Sequence, residues 1–193
     1  MIANHLWQTI SNNENYVDSF IANQEFKTKE DRLIKINKKK KDFLDELENI
    51  EGGKWIISSE HLQSELKTKE EITRLKDLLG SLFSKITIVL YIRKPIATSI
   101  SLWSQNIKYG GKYTLMPKPD TAFYENVANH KKTLERWLSV FDKKDIIVRK
   151  FESKSFKNGD LIQDFLDCCN IEFNQDYKIP EITNQTLTFL GIK

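Results

Sequence analysis

One segment constrains the fold more than any other. Residues 86–92 read Ile-Thr-Ile-Val-Leu-Tyr-Ile, and Arg93, Lys94 and Pro95 follow directly. A run dominated by β-branched and apolar residues is typical of a central parallel strand that is covered on both faces. Proline is favoured in the first turn of a helix. Apolar residues then recur at helical spacing, namely Ile96, Ile100, Trp103 and Ile107. The sequence predicts a strand, a charged turn and a helix that ends near Gly110.

Two further apolar runs, residues 54–60 and 145–149, are also predicted as buried strands. Helices are predicted over about 29–50, after a capping box at Thr68 and Glu71, from Asp120 or Thr121 to Phe141, and over about 158–169. Residues 112–119 and 170–193 lack a regular pattern and are predicted as loop and surface chain. Alternating strands and helices favour a three-layer α/β/α fold with a parallel sheet and right-handed crossovers.

The length of 193 residues suits a single domain with one core, which we take to span residues 1–193. There is no run of 18 apolar residues and no basic region followed by an apolar stretch at the N-terminus, so we expect neither a membrane span nor a signal peptide. The adjacent Cys168 and Cys169 oppose a disulfide and lack zinc spacing. We therefore expect a cytoplasmic protein without a metal site.

The charge pattern gives little support to a nucleic-acid partner. The net charge is +3, which alone is too small to indicate nucleic-acid binding. Residues 38–41 are four consecutive lysines, but on a helix they point around the whole cylinder and form no single face. A solvated surface is the favoured interpretation, and a basic nucleic-acid-binding module ranks last among the functions considered.

Polar residues follow two of the predicted strands. In open parallel sheets, ligands bind beyond the carboxyl ends of the strands. Residues 58–61, Ser-Ser-Glu-His, follow one strand, and Arg93 follows another. A guanidinium just before a helix N-terminus suits a phosphate or sulfate, to which Ser99 or Ser101 on the helix could add a hydroxyl donor. The alternative is a surface arginine with serines that face the core.

Residues 88–95, followed by Ser99, Ser101 and Leu102, resemble the 3′-phosphate-binding motif of sulfotransferases. In that motif an apolar strand ends in Arg, and a Ser stands eight residues later. Similarity to the bacterial carbohydrate-sulfotransferase-like branch covers about residues 50–187 and, more faintly, residues 4–6. Its other motifs lie at residues 56–60, 134–137, 146–152, 158–160 with 164–166, and 184–187.

This resemblance implies a P-loop NTPase-like fold. It also implies that Arg93 and Ser101 bind the 3′-phosphate of 3′-phosphoadenosine 5′-phosphosulfate, which donates a sulfonate group to a hydroxyl of a carbohydrate or similar acceptor. The family's Lys-Thr-Gly-Thr-Thr type of loop, which cradles the 5′-phosphosulfate, has no counterpart in this sequence. We expect a sheet that lacks its first, P-loop strand, from a truncated gene, a misassigned start codon or a fragment. An inactive sulfotransferase remnant is the alternative function.

Sulfonate transfer needs a base near the acceptor hydroxyl, and the chemistry needs no metal. Glu60 is the first candidate for this base because it lies where the family places a polar cluster. His61 is the rival candidate because the unperturbed pKa of histidine is nearer neutrality. Alternatively, Glu60 caps the next helix or pairs with a lysine. His130 is predicted as a packed or half-exposed residue within a helix. Arg149, with its neighbours, forms either a structural ion pair or a ligand contact.

Overall fold

The computed structural model describes residues 29–48, 52–110, 122–174 and 176–178. The chain divides into two compact units, Met1–Ile86 and Thr87–Lys193, here called the N-terminal and the C-terminal unit. The single domain over residues 1–193 stays a prediction. The predicted loop at 112–119 and the motifs at 4–6 and 184–187 lie outside the described residues.

The N-terminal unit begins with helix α1, Lys29–Glu48, in agreement with the helix predicted over about 29–50. Phe43 is buried on this helix, and Lys38, Lys40 and Lys41 are exposed. Gly52 and Gly53 follow with φ values of 68° and 93°, a left-handed conformation that glycine adopts without a steric penalty. Three of the four consecutive lysines therefore face solvent, as the charge pattern predicts, and Lys39 is half-buried.

The buried strand predicted over residues 54–60 is wrong. Residues 54–59 form no strand, and Ile56 is 46% exposed. Trp55 and Ile57 are half-buried, and the Trp55 ring packs against Phe83 with centroids 6.4 Å apart. An apolar run indicates that a segment tends to be buried. It does not show that a neighbouring strand is available for pairing. Here side-chain packing covers one side of the segment, and within the described residues no strand pairs with it.

Helices α2, His61–Glu65, and α3, Lys69–Gly80, complete the described part of this unit. The predicted capping box is present, since Thr68 Oγ1 accepts from the Glu71 N–H at 3.2 Å and Glu71 Oε2 accepts from the Thr68 N–H at 2.9 Å. The predicted apolar face of α3 is covered. The buried core residues here are Leu66, Ile72, Leu75 and Leu79.

The C-terminal unit contains strands β1, Ile88–Ile92, and β2, Ile146–Lys150. They pair in parallel, with a register that runs from Ile88 opposite Ile146 to Ile92 opposite Lys150. The protein is thus a mixed α/β molecule, mostly helical, with a two-stranded parallel sheet in its described part. All five residues of β1 are half-buried, so the expectation of a strand fully covered on both faces is wrong.

Helix α4, Pro95–Lys108, follows β1 and begins at the predicted proline. The single long helix predicted up to Phe141 is instead two helices, α5, Ala122–Ala128, and α6, His130–Leu138. Asn129 breaks the run with φ −82° and ψ 81°, and its side chain accepts from the Lys132 N–H at 3.2 Å. Asparagine favours such caps because its short side chain replaces a backbone acceptor.

Helix α7, Leu161–Cys168, closes the described part of the unit, and Asp160 caps it by accepting from the Gln163 N–H at 2.8 Å. Single turns of 3₁₀ helix lie at Lys143–Asp145, Ser153–Ser155 and Lys157–Gly159. Cys168 and Cys169 are both free thiols, as predicted. Among the described residues of this unit, the buried apolar ones are Ala128, Trp137, Phe141, Leu166 and Cys168. None of the described helices is long and apolar enough to cross a membrane.

Candidate functional site

Arg93 lies immediately beyond the carboxyl end of β1, and α4 begins two residues later. The residue is half-buried. Its guanidinium carbon lies 5.9 Å from the centroid of the Phe151 ring, at the end of β2. Among the described residues, the guanidinium makes no hydrogen bond and no ion pair. The donors of a permanently charged side chain are therefore left for a ligand beside a helix N-terminus.

Phe151 belongs to an aromatic cluster with Tyr91 and Phe156. The three rings meet edge to face, with centroids 5.6 to 6.4 Å apart. Such pairs stabilise one another by roughly 0.5–1.5 kcal/mol beyond the area they bury. The cluster joins the ends of both strands, so the ring against which Arg93 rests has a fixed position.

His130 reaches the same strand end from the first position of α6. Its Nε2 lies 2.5 Å from the main-chain carbonyl oxygen of Arg93. A carbonyl oxygen can only accept, so Nε2 carries the proton. In the described chain, Nδ1 has no hydrogen-bond partner. The sequence predicted His130 inside a long helix and did not predict this contact. The preceding Asn129, a favoured helix cap, could have indicated that a new helix begins at His130.

Ser101, the predicted partner of Arg93, is half-buried on α4. It lies six residues beyond Pro95, roughly 9 Å along the helix axis. It shares a face with the buried Ser104, three residues further on. In the part of the chain that the structure describes, the Ser101 and Arg93 side chains make no hydrogen bond with each other. Ser99 is buried and donates from its Oγ to the Pro95 carbonyl at 2.7 Å, so its hydroxyl serves the helix.

Arg149, on β2, lies in a different environment. Its Nε donates to Cys168 Sγ at 3.2 Å and lies 3.8 Å from Asp164 Oδ2, and an Nη lies 3.5 Å from Asp167 Oδ2. The contact with Cys168, followed by the charge of Asp164, raises the pKa of the guanidinium. Of the two roles left open by the sequence, the contacts favour a structural ion pair.

Asp164 is the centre of this second cluster and is 2% exposed. Its Oδ2 accepts from the Tyr91 hydroxyl at 2.7 Å, and its Oδ1 accepts from the Lys157 N–H at 3.0 Å. Burial, then the hydrogen bond to Asp164, raises the pKa of Tyr91 well above its ordinary value. The phenol therefore stays protonated and acts as a hydrogen-bond donor that connects β1 with α7.

Glu60 and His61 belong to the N-terminal unit, whereas Arg93 and Ser101 belong to the C-terminal unit. Glu60 occupies the N-cap position of α2, but its side chain makes no capping bond and is 84% exposed. His61 is 37% exposed, and its Nε2 lies 4.0 Å from Glu60 Oε1. Beside them, the Ser59 Oγ is buried and has no hydrogen-bond partner among the described residues. These residues lie at the start of α2 with Glu60 open to solvent, and the strand at whose end they were predicted is absent.

No family model, curated protein or solved structure matches the chain. Membership of the sulfotransferase family therefore stays a prediction from the motif at residues 88–101 and those that accompany it. Within the described residues, no group of three or more His, Cys, Asp and Glu side chains could hold a metal ion.

Proposed function

We propose that this chain is a sulfotransferase-like domain. It binds 3′-phosphoadenosine 5′-phosphosulfate and directs transfer of the sulfonate group to a hydroxyl of a carbohydrate or similar acceptor. The supporting observation is the Arg93 guanidinium, which lies at the carboxyl end of β1 and at the start of α4. It has neither a hydrogen bond nor an ion pair among the described residues. Such a group is suited to the 3′-phosphate because planar guanidinium donors match phosphate oxygens.

In this proposal Ser101 adds one hydroxyl donor to the same phosphate. During transfer, the acceptor hydroxyl gives its proton to a base as its oxygen bonds to sulfur. The bond between sulfur and the bridging oxygen of the 5′-phosphate breaks, and 3′,5′-adenosine bisphosphate leaves. Glu60, with His61 as its rival, stays the base that the resemblance to sulfotransferases suggests.

Calorimetric titration of the chain with 3′,5′-adenosine bisphosphate tests the donor site. We expect Arg93→Ala to lower the affinity at least about ten-fold, because it removes charge-assisted hydrogen bonds. Ser101→Ala should lower it less, about three-fold, through loss of one neutral donor. An Arg93→Ala variant that binds as tightly as the wild type would exclude this site.

Lys144→Ala is the matched control. It removes one positive charge from the same unit, and the side chain is 77% exposed beside Asp142, at 3.7 Å. Lys144 precedes β2, at the end of the parallel sheet opposite to Arg93. We expect it to leave the affinity unchanged. An equal loss in both variants would show attraction by net charge rather than a site.

A second candidate is a nucleotide-binding domain without transfer activity. The exposure of Glu60 favours it, because a carboxylate 84% open to solvent lacks the water-excluding surroundings in which most catalytic bases act. Transfer of ³⁵S from labelled donor to a mixed panel of carbohydrate acceptors separates the two. Nucleotide binding without any labelled product would favour this candidate over the enzyme.

A further inference from the structure

The backbone around Arg93 is fixed at three successive carbonyl groups, each by a different element. The first is held by the residue that follows β2, the second by α6 and the third by the first turns of α4. The pairs are Ile92 O with the Phe151 N–H at 2.8 Å, Arg93 O with His130 Nε2 at 2.5 Å, and Lys94 O with the Thr98 N–H at 3.0 Å.

His130 supplies the only one of these three contacts that comes from a side chain. The other two belong to regular structure, since one extends the strand ladder and one is the first turn of a helix. The Arg93 carbonyl lies between ladder and helix, where neither provides a donor. A carbonyl left without a partner at such a place costs free energy, so the turn would shift to find one.

The same turn leaves the Arg93 side chain available. Its backbone is immobilised, while among the described residues its guanidinium makes no hydrogen bond or ion pair. A charged group on a fixed backbone binds an anion more tightly, because less freedom is lost on binding. We infer that His130 is a positioning residue for the Arg93 phosphate site and acts through the Arg93 carbonyl. The inference rests on the proposed function and adds a residue 37 positions away to that site.

Two substitutions separate the donated hydrogen bond from the bulk of the ring. His130→Gln keeps an N–H donor at similar reach, whereas His130→Phe keeps a flat ring and removes the donor. The probes are 3′,5′-adenosine bisphosphate and inorganic pyrophosphate, titrated by calorimetry. We expect His130→Phe to weaken the binding of both probes about ten-fold and His130→Gln to stay within about three-fold of wild type.

A double-mutant cycle tests whether His130 acts through Arg93. In the Arg93→Ala background, adding His130→Phe should cause no further loss, because the group that His130 positions is already absent. A further ten-fold loss in that background would overturn the inference. So would wild-type affinity in His130→Phe, or a His130→Gln variant as weak as His130→Phe.

A measurement on the wild type covers the case in which His130→Phe does not fold. Long-range ¹H–¹⁵N spectra report which ring nitrogen carries the proton, and we expect Nε2–H near pH 8. A proton on Nδ1 would overturn the inference. Binding of pyrophosphate but not of the nucleotide, still dependent on Arg93 and His130, would exclude the proposed function and support the inference. Binding of neither probe would exclude both.

Discussion

The two neighbouring strands each place an arginine near their carboxyl end, and the two side chains differ in their contacts. Arg149 on β2 contacts Asp164, Asp167 and Cys168 of α7. Arg93, one residue beyond β1, rests on the Phe151 ring and has no acidic partner in the described chain. The two arginines thus differ in whether a helix brings carboxylates to the strand end.

The difference has a simple physical cause. A guanidinium that is already paired with carboxylates gains little from a phosphate, because binding would have to break existing contacts. An unpaired guanidinium has no such cost. The Arg149 region should therefore govern stability, and the Arg93 region should govern anion binding.

The largest expected effect is in the Arg149 region, at Asp164. Asp164→Ala removes the acceptor that Tyr91 and Lys157 share, together with the carboxylate that pairs with Arg149, and should lower the free energy of unfolding by about 3 kcal/mol. Urea unfolding measures it. Asp142→Ala, which removes a carboxylate that is 75% exposed, is the control and should change stability by less than about 0.5 kcal/mol. Equal, small losses in both variants would contradict the assignment of Asp164 as the centre of this cluster.

The second-largest expected effect is the difference in stability loss between substitutions of the two arginines. Arg149→Ala leaves the buried Asp164 without its cationic neighbour and should cost about 1–2 kcal/mol in urea unfolding. Arg93→Ala loses a contact with one ring and should cost no more than about 0.5 kcal/mol. For binding of 3′,5′-adenosine bisphosphate the order should reverse, with Arg93→Ala lowering the affinity more than Arg149→Ala. If Arg93→Ala destabilised the protein more than Arg149→Ala, the division of roles would be wrong.

The elements that the sequence predicted correctly are those with local causes. The strand that ends before Arg93, the proline that starts α4 and the Thr68 capping box each depend on residues a few positions apart. Asn129 was missed because the apolar period continues on both sides of it, while its side chain caps a new helix. The strand–helix alternation predicted that the strands run parallel, as β1 and β2 do, but it did not predict that these two strands are neighbours.

The surroundings of the candidate site residues were predicted only in part, for the same reason. The position of Arg93 at a strand end is a local property, and the sequence located it. The contact with His130 spans 37 residues, and the acidic partners of Arg149 lie on a helix that begins 12 residues later. The apolar run at residues 54–60 predicted a buried strand, yet Ile56 is exposed, because hydrophobicity does not specify a pairing partner.

The smallest effect is a dependence on pH in the Arg149 region. The hydrogen bond from Lys157, and then the charges of Lys157 and Arg149, lower the pKa of Asp167. A carboxyl whose pKa is lower in the folded state stabilises the fold above its unfolded pKa, about 3.9, and loses that contribution as pH falls through the folded value. Wild-type stability should therefore fall more steeply below about pH 4 than that of Asp167→Asn, in urea unfolding between pH 6 and pH 3. Arg93→Ala, which removes no such pair, should keep the wild-type slope. Identical slopes in wild type and Asp167→Asn would show that the Asp167 contacts add nothing to stability, and the contrast between the two strand ends would then rest on Asp164 alone.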